Sequence, residues 1–150
     1  MRLSALLILG LLIALHPANA SVFEQGARAS AAFRCAKLAE IAAAHDLSKI
    51  VETSEHDRLF RLGLEEGKKF AEAILSGKYN PREDILDTFE WSLAGAPSAD
   101  FLVGRLAEFA QRQMLLDLPK KPVTLEWTSE SGEAARKLYL DGNCKVHRQF

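Results

Sequence analysis

Apolar and small side chains return every three or four residues through most of this chain, the spacing that lines one face of an α-helix. Between residues 22 and 45 the stripe is Phe23, Ala27, Ala31, Cys35, Leu38 and Ala42, so a long Ala-rich first helix is expected to bury Cys35 with it. A polar connection, HDLSKIVET, follows. Ser54 is the expected N-cap of a second helix, with Asp57 near its positive end. This helix runs to about Ser76 and turns Phe60, Gly63, Leu64, Gly67, Phe70, Ala71 and Ile74 inward, and Gly77 is the expected left-handed stop. Two mid-helix glycines cost about 1 kcal/mol each relative to alanine. Gly63 and Gly67 lie one turn apart, and close packing of another helix of the same chain is the expected compensation.

NPRED opens a third helix, with Asn80 as N-cap, Pro81 at the first helical position and Glu83 completing a capping box. Ile85, Phe89 and Leu93 face inward, Trp91 lies off that stripe, and Gly95 and Pro97 end the helix. Ser98 then caps a fourth, to about Asp117, with Leu102, Leu106, Phe109 and Gln113 on its inner stripe and Phe101, Arg105 and Glu108 beside it. Two prolines in PKKPVTLEW break the pattern. Val123, Leu125 and Trp127 alternate with Thr124 and Glu126, which predicts a short extended segment near 122–128 laid across helices. A last helix, about Ser131 to Leu140, turns Ala135, Leu138 and Tyr139 inward and stops at Gly142. The expected fold class is all-α, a compact bundle of about five helices.

The first twenty residues have a different character. Arg2 precedes the apolar run LSALLILGLLIALH, and Pro17 then leads into ANA, with small residues at Ala18 and Ala20. This is the pattern of a secretory signal peptide cut after Ala20. Ser21, not cysteine, follows the cut, so no lipid attachment and no stable membrane anchor is expected after cleavage. Residues 21–150 are expected to form a single helical domain, periplasmic or secreted.

Export changes how the two cysteines read. Cys35 and Cys144 form no C-x-x-C pair and belong to no cluster with zinc-ligand spacing. In an oxidising compartment they are expected to form one structural disulfide that ties the N-terminal part of the domain to its C-terminal end. A closed loop of that length is worth about 4–5 kcal/mol in the chain-entropy account.

Charge and side-chain chemistry narrow the function. The chain holds 19 Lys and Arg against 20 Asp and Glu, and removing residues 1–20 takes away Arg2 alone, leaving a formal charge of −2. That balance argues against a nucleic-acid partner. His45, His56 and His147 share no i, i+4 spacing, and there is no G-x-S-x-G elbow or Gly-rich phosphate loop. The doublets Glu65-Glu66 and Glu83-Asp84 diverge on a helix instead of converging as an acid/base pair. No catalytic residue, metal or cofactor is expected. The expected function is an exported interaction module, such as an inhibitor, an immunity protein or an envelope accessory protein, whose partner is another envelope or secreted protein. Trp91, Trp127, Tyr79, Arg105 and Arg112 are the candidate contact residues, because aromatic and Arg side chains dominate interface energetics. Two alternatives are a carrier with an apolar cavity between helices, and an enzyme whose site assembles only in the fold.

Overall fold

Four stretches of the chain form helices in the computed structural model, which describes residues 21–45, 51–78, 96–119 and 128–145. They are α1 (Val22–His45), α2 (Ser54–Leu75), α3 (Ala99–Leu116) and α4 (Ser129–Asp141), and no strand occurs among the described residues. The all-α expectation therefore holds with four described helices. The leader at 1–20, the helix expected over 80–95 and most of the extended segment near 122–128 lie outside the described residues; Thr128 itself has extended backbone.

α1 and α2 make the most extensive helix pair, and they run antiparallel in a fixed register. The Phe70 ring of α2 lies over Gly26 of α1, where a Cβ would come within 2.8 Å of it. Gly67 faces Ala29, and the Phe33 ring of α1 fills the slot at Gly63, where a Cβ would come within 2.7 Å. Two turns farther on, His56 faces Glu40. Each helix thus sends an aromatic ring onto a glycine of the other. Val103 of α3 covers Gly67 as well. The small-residue notch of α2 is filled by packing within the chain, as expected.

This register corrects the expected stripes. α1 buries Gly26, Ala29, Ala32 and Phe33 in its first half, whereas Ala27 is exposed and Phe23 keeps 47% of its surface in water. The reason is that α1 packs against α2, α3 and α4. A helix covered on three sides has no single narrow stripe, and its narrow Gly/Ala face is where a neighbour comes closest. On α2, Leu64 is exposed and Glu55 and Glu66 are buried. On α3 the inner face is Leu102, Val103, Leu106, Ala107, Ala110 and Met114; Gln113 and Phe101 point outward.

The helix ends follow local chemistry. The Ser98 hydroxyl accepts the Phe101 N–H at 3.2 Å, as expected for the α3 cap. α2 starts differently, with Thr53 at the N-cap position and no side-chain cap bond, while Ser54 donates to Glu52. It ends as expected, since Gly77 is left-handed at φ 69° and the Lys78 N–H reaches the Ala73 carbonyl at 3.0 Å. α4 starts earlier than its apolar pattern suggests, because Thr128 caps it by accepting the Ser131 N–H. At its far end the left-handed residue is Asn143 at φ 52°, not Gly142 at φ −76°. The Cys144 N–H then closes back on the Tyr139 carbonyl at 3.2 Å, which turns the cysteine toward the core.

α4 lies along α1 in the opposite sense, from Gly132 beside His45 to Cys144, which is disulfide-bonded to Cys35 with Cα atoms 5.6 Å apart. Among the described residues the interior divides into two apolar clusters. A distal core joins Ala29, Phe33, Phe70, Ala71, Leu102, Val103, Leu106, Ala107 and Ala110 of α1, α2 and α3. A proximal core joins the second half of α1 with Val51, Leu59, Met114, Leu118, Ala135, Tyr139 and Cys144. Phe60 packs against both and meets Phe33 edge-on at 5.3 Å.

Two glycine substitutions should move stability in opposite directions in denaturant titrations. A Cβ at Gly132 would overlap the Cβ of His45, so Gly132→Ala should cost about 1–3 kcal/mol, the usual range for overpacking. A Cβ at Gly104 meets nothing within 4 Å, so Gly104→Ala should gain up to about 1 kcal/mol from helix propensity alone.

Candidate interaction surface

Among the described residues two buried carboxylates hold the helices in place. Glu55 sits in the first turn of α2, where the helix dipole favours negative charge. Its Oε2 accepts from Tyr139 Oη at 2.8 Å and from Arg58 Nη2 at 2.8 Å, and its Oε1 accepts from Arg58 Nε. Tyr139 is fully buried, so this bond ties the middle of α4 to the start of α2. The hydrogen bonds to Glu55 raise the Arg58 guanidinium pKa; burial opposes the rise, and the Glu55 charge and Tyr139 add to it. His56 beside them places Nδ1 3.1 Å from the Ala36 carbonyl, so that nitrogen carries the proton and donates. Its ring stacks on Phe60.

Glu66 is the second. Its Oε2 accepts from Arg28 Nε and Nη2 at 2.9 and 2.7 Å, and its Oε1 from Lys69 Nζ at 2.7 Å. Burial pushes its carboxyl up, but hydrogen bonds from Lys69 and then Arg28, with their charges, outweigh burial and hold it below its ordinary value. Its neighbour Glu65 is exposed, so the doublet diverges as expected. Glu55 and Glu66 are three turns apart on α2, about 16 Å at the helical rise, and each is held by its own cations.

The outer face of α3 has a different composition. Phe101, Arg105, Glu108, Arg112 and Leu116 follow one another at spacings of three and four along the side opposite the buried residues. Phe101 is 48% exposed at one end and Leu116 66% at the other. Between them Glu108 receives both arginines, Arg105 Nη1 on Oε2 at 3.0 Å and Arg112 Nη2 on Oε1 at 2.8 Å. Gly104 adds a stretch of bare backbone beside Phe101 and Arg105.

Of the sequence-derived candidates, Arg105 and Arg112 come together on this face. Tyr79, Trp91 and Trp127 lie outside the described residues. Sequence reasoning placed Phe101 beside the inner stripe and did not single out Leu116; the three-and-four spacing that links both to the arginines is the signal that identifies them.

A cleft of about 240 Å³ between α1, α2 and α3 is lined by Phe23, Gly26, Ala27, Ser30, Phe70, Leu106 and Phe109. Ser30 is the one polar side chain in that lining. Among the described residues no three His, Cys, Asp or Glu side chains gather as a metal site, and no helix is long and apolar enough to cross a membrane.

Removing the Tyr139 hydroxyl takes a hydrogen bond from a buried charged group, so Tyr139→Phe should lower unfolding free energy by about 1.5–3 kcal/mol. Glu66 predicts a pH signature. Its folded carboxyl lies below the unfolded value, so its contribution is complete above the ordinary carboxylate range and is lost as pH falls through the folded value. Glu66→Gln should therefore be less stable than the parent at neutral pH and show a flatter acid limb when unfolding is followed from pH 7 to pH 2.

Comparison with known proteins gives no match to this chain among family models, curated proteins or solved structures.

Proposed function

We propose that this is an exported interaction module, processed after Ala20, that binds another envelope or secreted protein through the outer face of α3. The observation that carries the reading is the Phe101, Arg105, Glu108, Arg112, Leu116 stripe. Apolar groups at both ends and arginines at the centre match the residue types that anchor protein interfaces. Glu108 holds both guanidinium groups in place before a partner arrives, which lowers the side-chain ordering cost of binding. One carboxylate against two arginines leaves the centre of the stripe positive. The complementary surface presents carboxylates to Arg105 and Arg112 and apolar side chains to Phe101 and Leu116. An inhibitor, an immunity protein and an envelope accessory protein would each act in this way, by occupancy and without chemistry.

The test is capture from envelope extract on the immobilised mature protein. An Arg105→Glu, Arg112→Glu double variant should lose at least about tenfold of the captured partner, with its helical circular dichroism unchanged. Undiminished capture by the double variant would overturn the assignment to α3.

The cleft between α1, α2 and α3 favours a second reading, a carrier for a small apolar molecule. At about 240 Å³ it exceeds the roughly 150 Å³ engineered apolar cavity known to accept benzene. Under this reading an apolar fluorophore titrated into the protein brightens with saturation, and Ala27→Trp, which fills the cleft, abolishes the signal. Equal signals from parent and variant would exclude the cleft as the site.

A further inference from the structure

We propose that the Cys35–Cys144 disulfide is a redox latch on α4: reduction undocks α4 and loosens the proximal core, while the distal core stays folded. The division of the interior carries this inference. The buried apolar residues of α4, Ala135 and Tyr139, belong with Cys144 to the proximal core, and the distal core is assembled from α1, α2 and α3 without a contribution from α4.

α4 has only 13 residues, below the length at which a helix holds itself in water. It packs chiefly on α1. Its ties to the rest of the described fold include the disulfide, the Tyr139–Glu55 bond and Ser131 Oγ donating to the Pro119 carbonyl at 3.0 Å. With the distal core folded, cutting the covalent tie frees the chain that follows α3, so undocking of α4 gains the conformational freedom of that segment.

Cys35 keeps 5% and Cys144 1% of its surface in water, so the latch is approached only from the pocket the two cysteines line. Both cysteines line a surface pocket of about 400 Å³, walled by Leu38, Met114 and Leu138, with Arg34 and Asp141 among its polar lining. A small dithiol has room to approach there. Its thiolate attacks one sulfur, the Cys35–Cys144 bond breaks, and the other cysteine leaves as thiolate and takes up a proton. The second thiol of the reagent then attacks the mixed disulfide and releases the first cysteine. Two electrons pass from the dithiol to the protein, giving two cysteine thiols and one reagent disulfide. A disulfide oxidant runs the exchange the other way, taking two electrons and two protons from the cysteine thiols and leaving as its own two thiols, so the chain completes its proximal core only where such an oxidant is present.

Hydrogen exchange of the mature protein with and without dithiothreitol, under native conditions, tests the latch. Amides of α4 and of residues 35–45 should exchange at least about 100-fold faster after reduction. Those of residues 29–33, 67–71 and 102–107 should change by less than about threefold. A Cys35→Ser, Cys144→Ser variant should reproduce the reduced pattern without dithiothreitol. Unchanged protection of α4 in the reduced protein, or equal acceleration in both cores, would overturn the proposal.

Discussion

The structure depends on an exchange of rings for glycines between two antiparallel helices. Phe33 of α1 occupies the slot at Gly63 of α2, and Phe70 of α2 lies over Gly26 of α1. A Cβ at either glycine would collide with a ring, so the helices adopt this spacing only because the side chains there are absent. Close-packed interiors transmit such constraints. The register set by the two rings also places Ala29 against Gly67, and Val103 of α3 closes over the same spot. The glycines that weaken α2 as an isolated helix are therefore what lets three helices share one core.

The other end of the molecule uses different means. α4 is short, and the α1 residues that share its apolar cluster are mostly small: Cys35, Ala36, Ala39 and Ala42, with Leu38 and Ile41. A disulfide, a buried hydrogen bond between Tyr139 and Glu55, and the close approach of Gly132 to His45 supplement a modest apolar contact. The left-handed Asn143 matters here, because it reverses the chain after α4 and brings Cys144 under Tyr139. One end of the bundle is thus set by shape and the other by covalent and polar ties. With the inner faces of α1, α2 and α3 committed to packing, Phe101, Arg105, Arg112 and Leu116 stay on the outer side of α3.

Much of this was legible in the sequence where local chemistry decides the outcome. Ser98 as a cap, Gly77 as a left-handed stop, the pairing of the cysteines and the intramolecular filling of the Gly63 and Gly67 notch follow from rules that act within a few residues or from the small number of cysteines. The errors lie where tertiary contact decides. Periodicity assigned Phe23 and Ala27 to the inner face of α1, but a helix with neighbours on three sides buries its small-residue face as well, and Phe33 does the work expected of Phe23. Gln113 for Met114 on α3 is the same error by one position. The burial of Glu55 and Glu66 leaves no local signal in the sequence, since nothing within a few residues shows that Tyr139 or Arg28 will arrive from another helix. The arginines of the α3 face were identified from residue type; the flanking Phe101 and Leu116 needed the fold.

The most direct test of the central claim is a double-mutant cycle across the ring-and-glycine contact, read as unfolding free energy in denaturant. If the Phe33 ring sets the spacing at Gly63, Gly63→Ala should destabilise the parent and cost little, or even stabilise, in a Phe33→Ala background where the ring is gone. That corresponds to a coupling of at least about 1 kcal/mol, within the range of residues in direct contact. Additive effects, with Gly63→Ala costing the same in both backgrounds, would contradict the account.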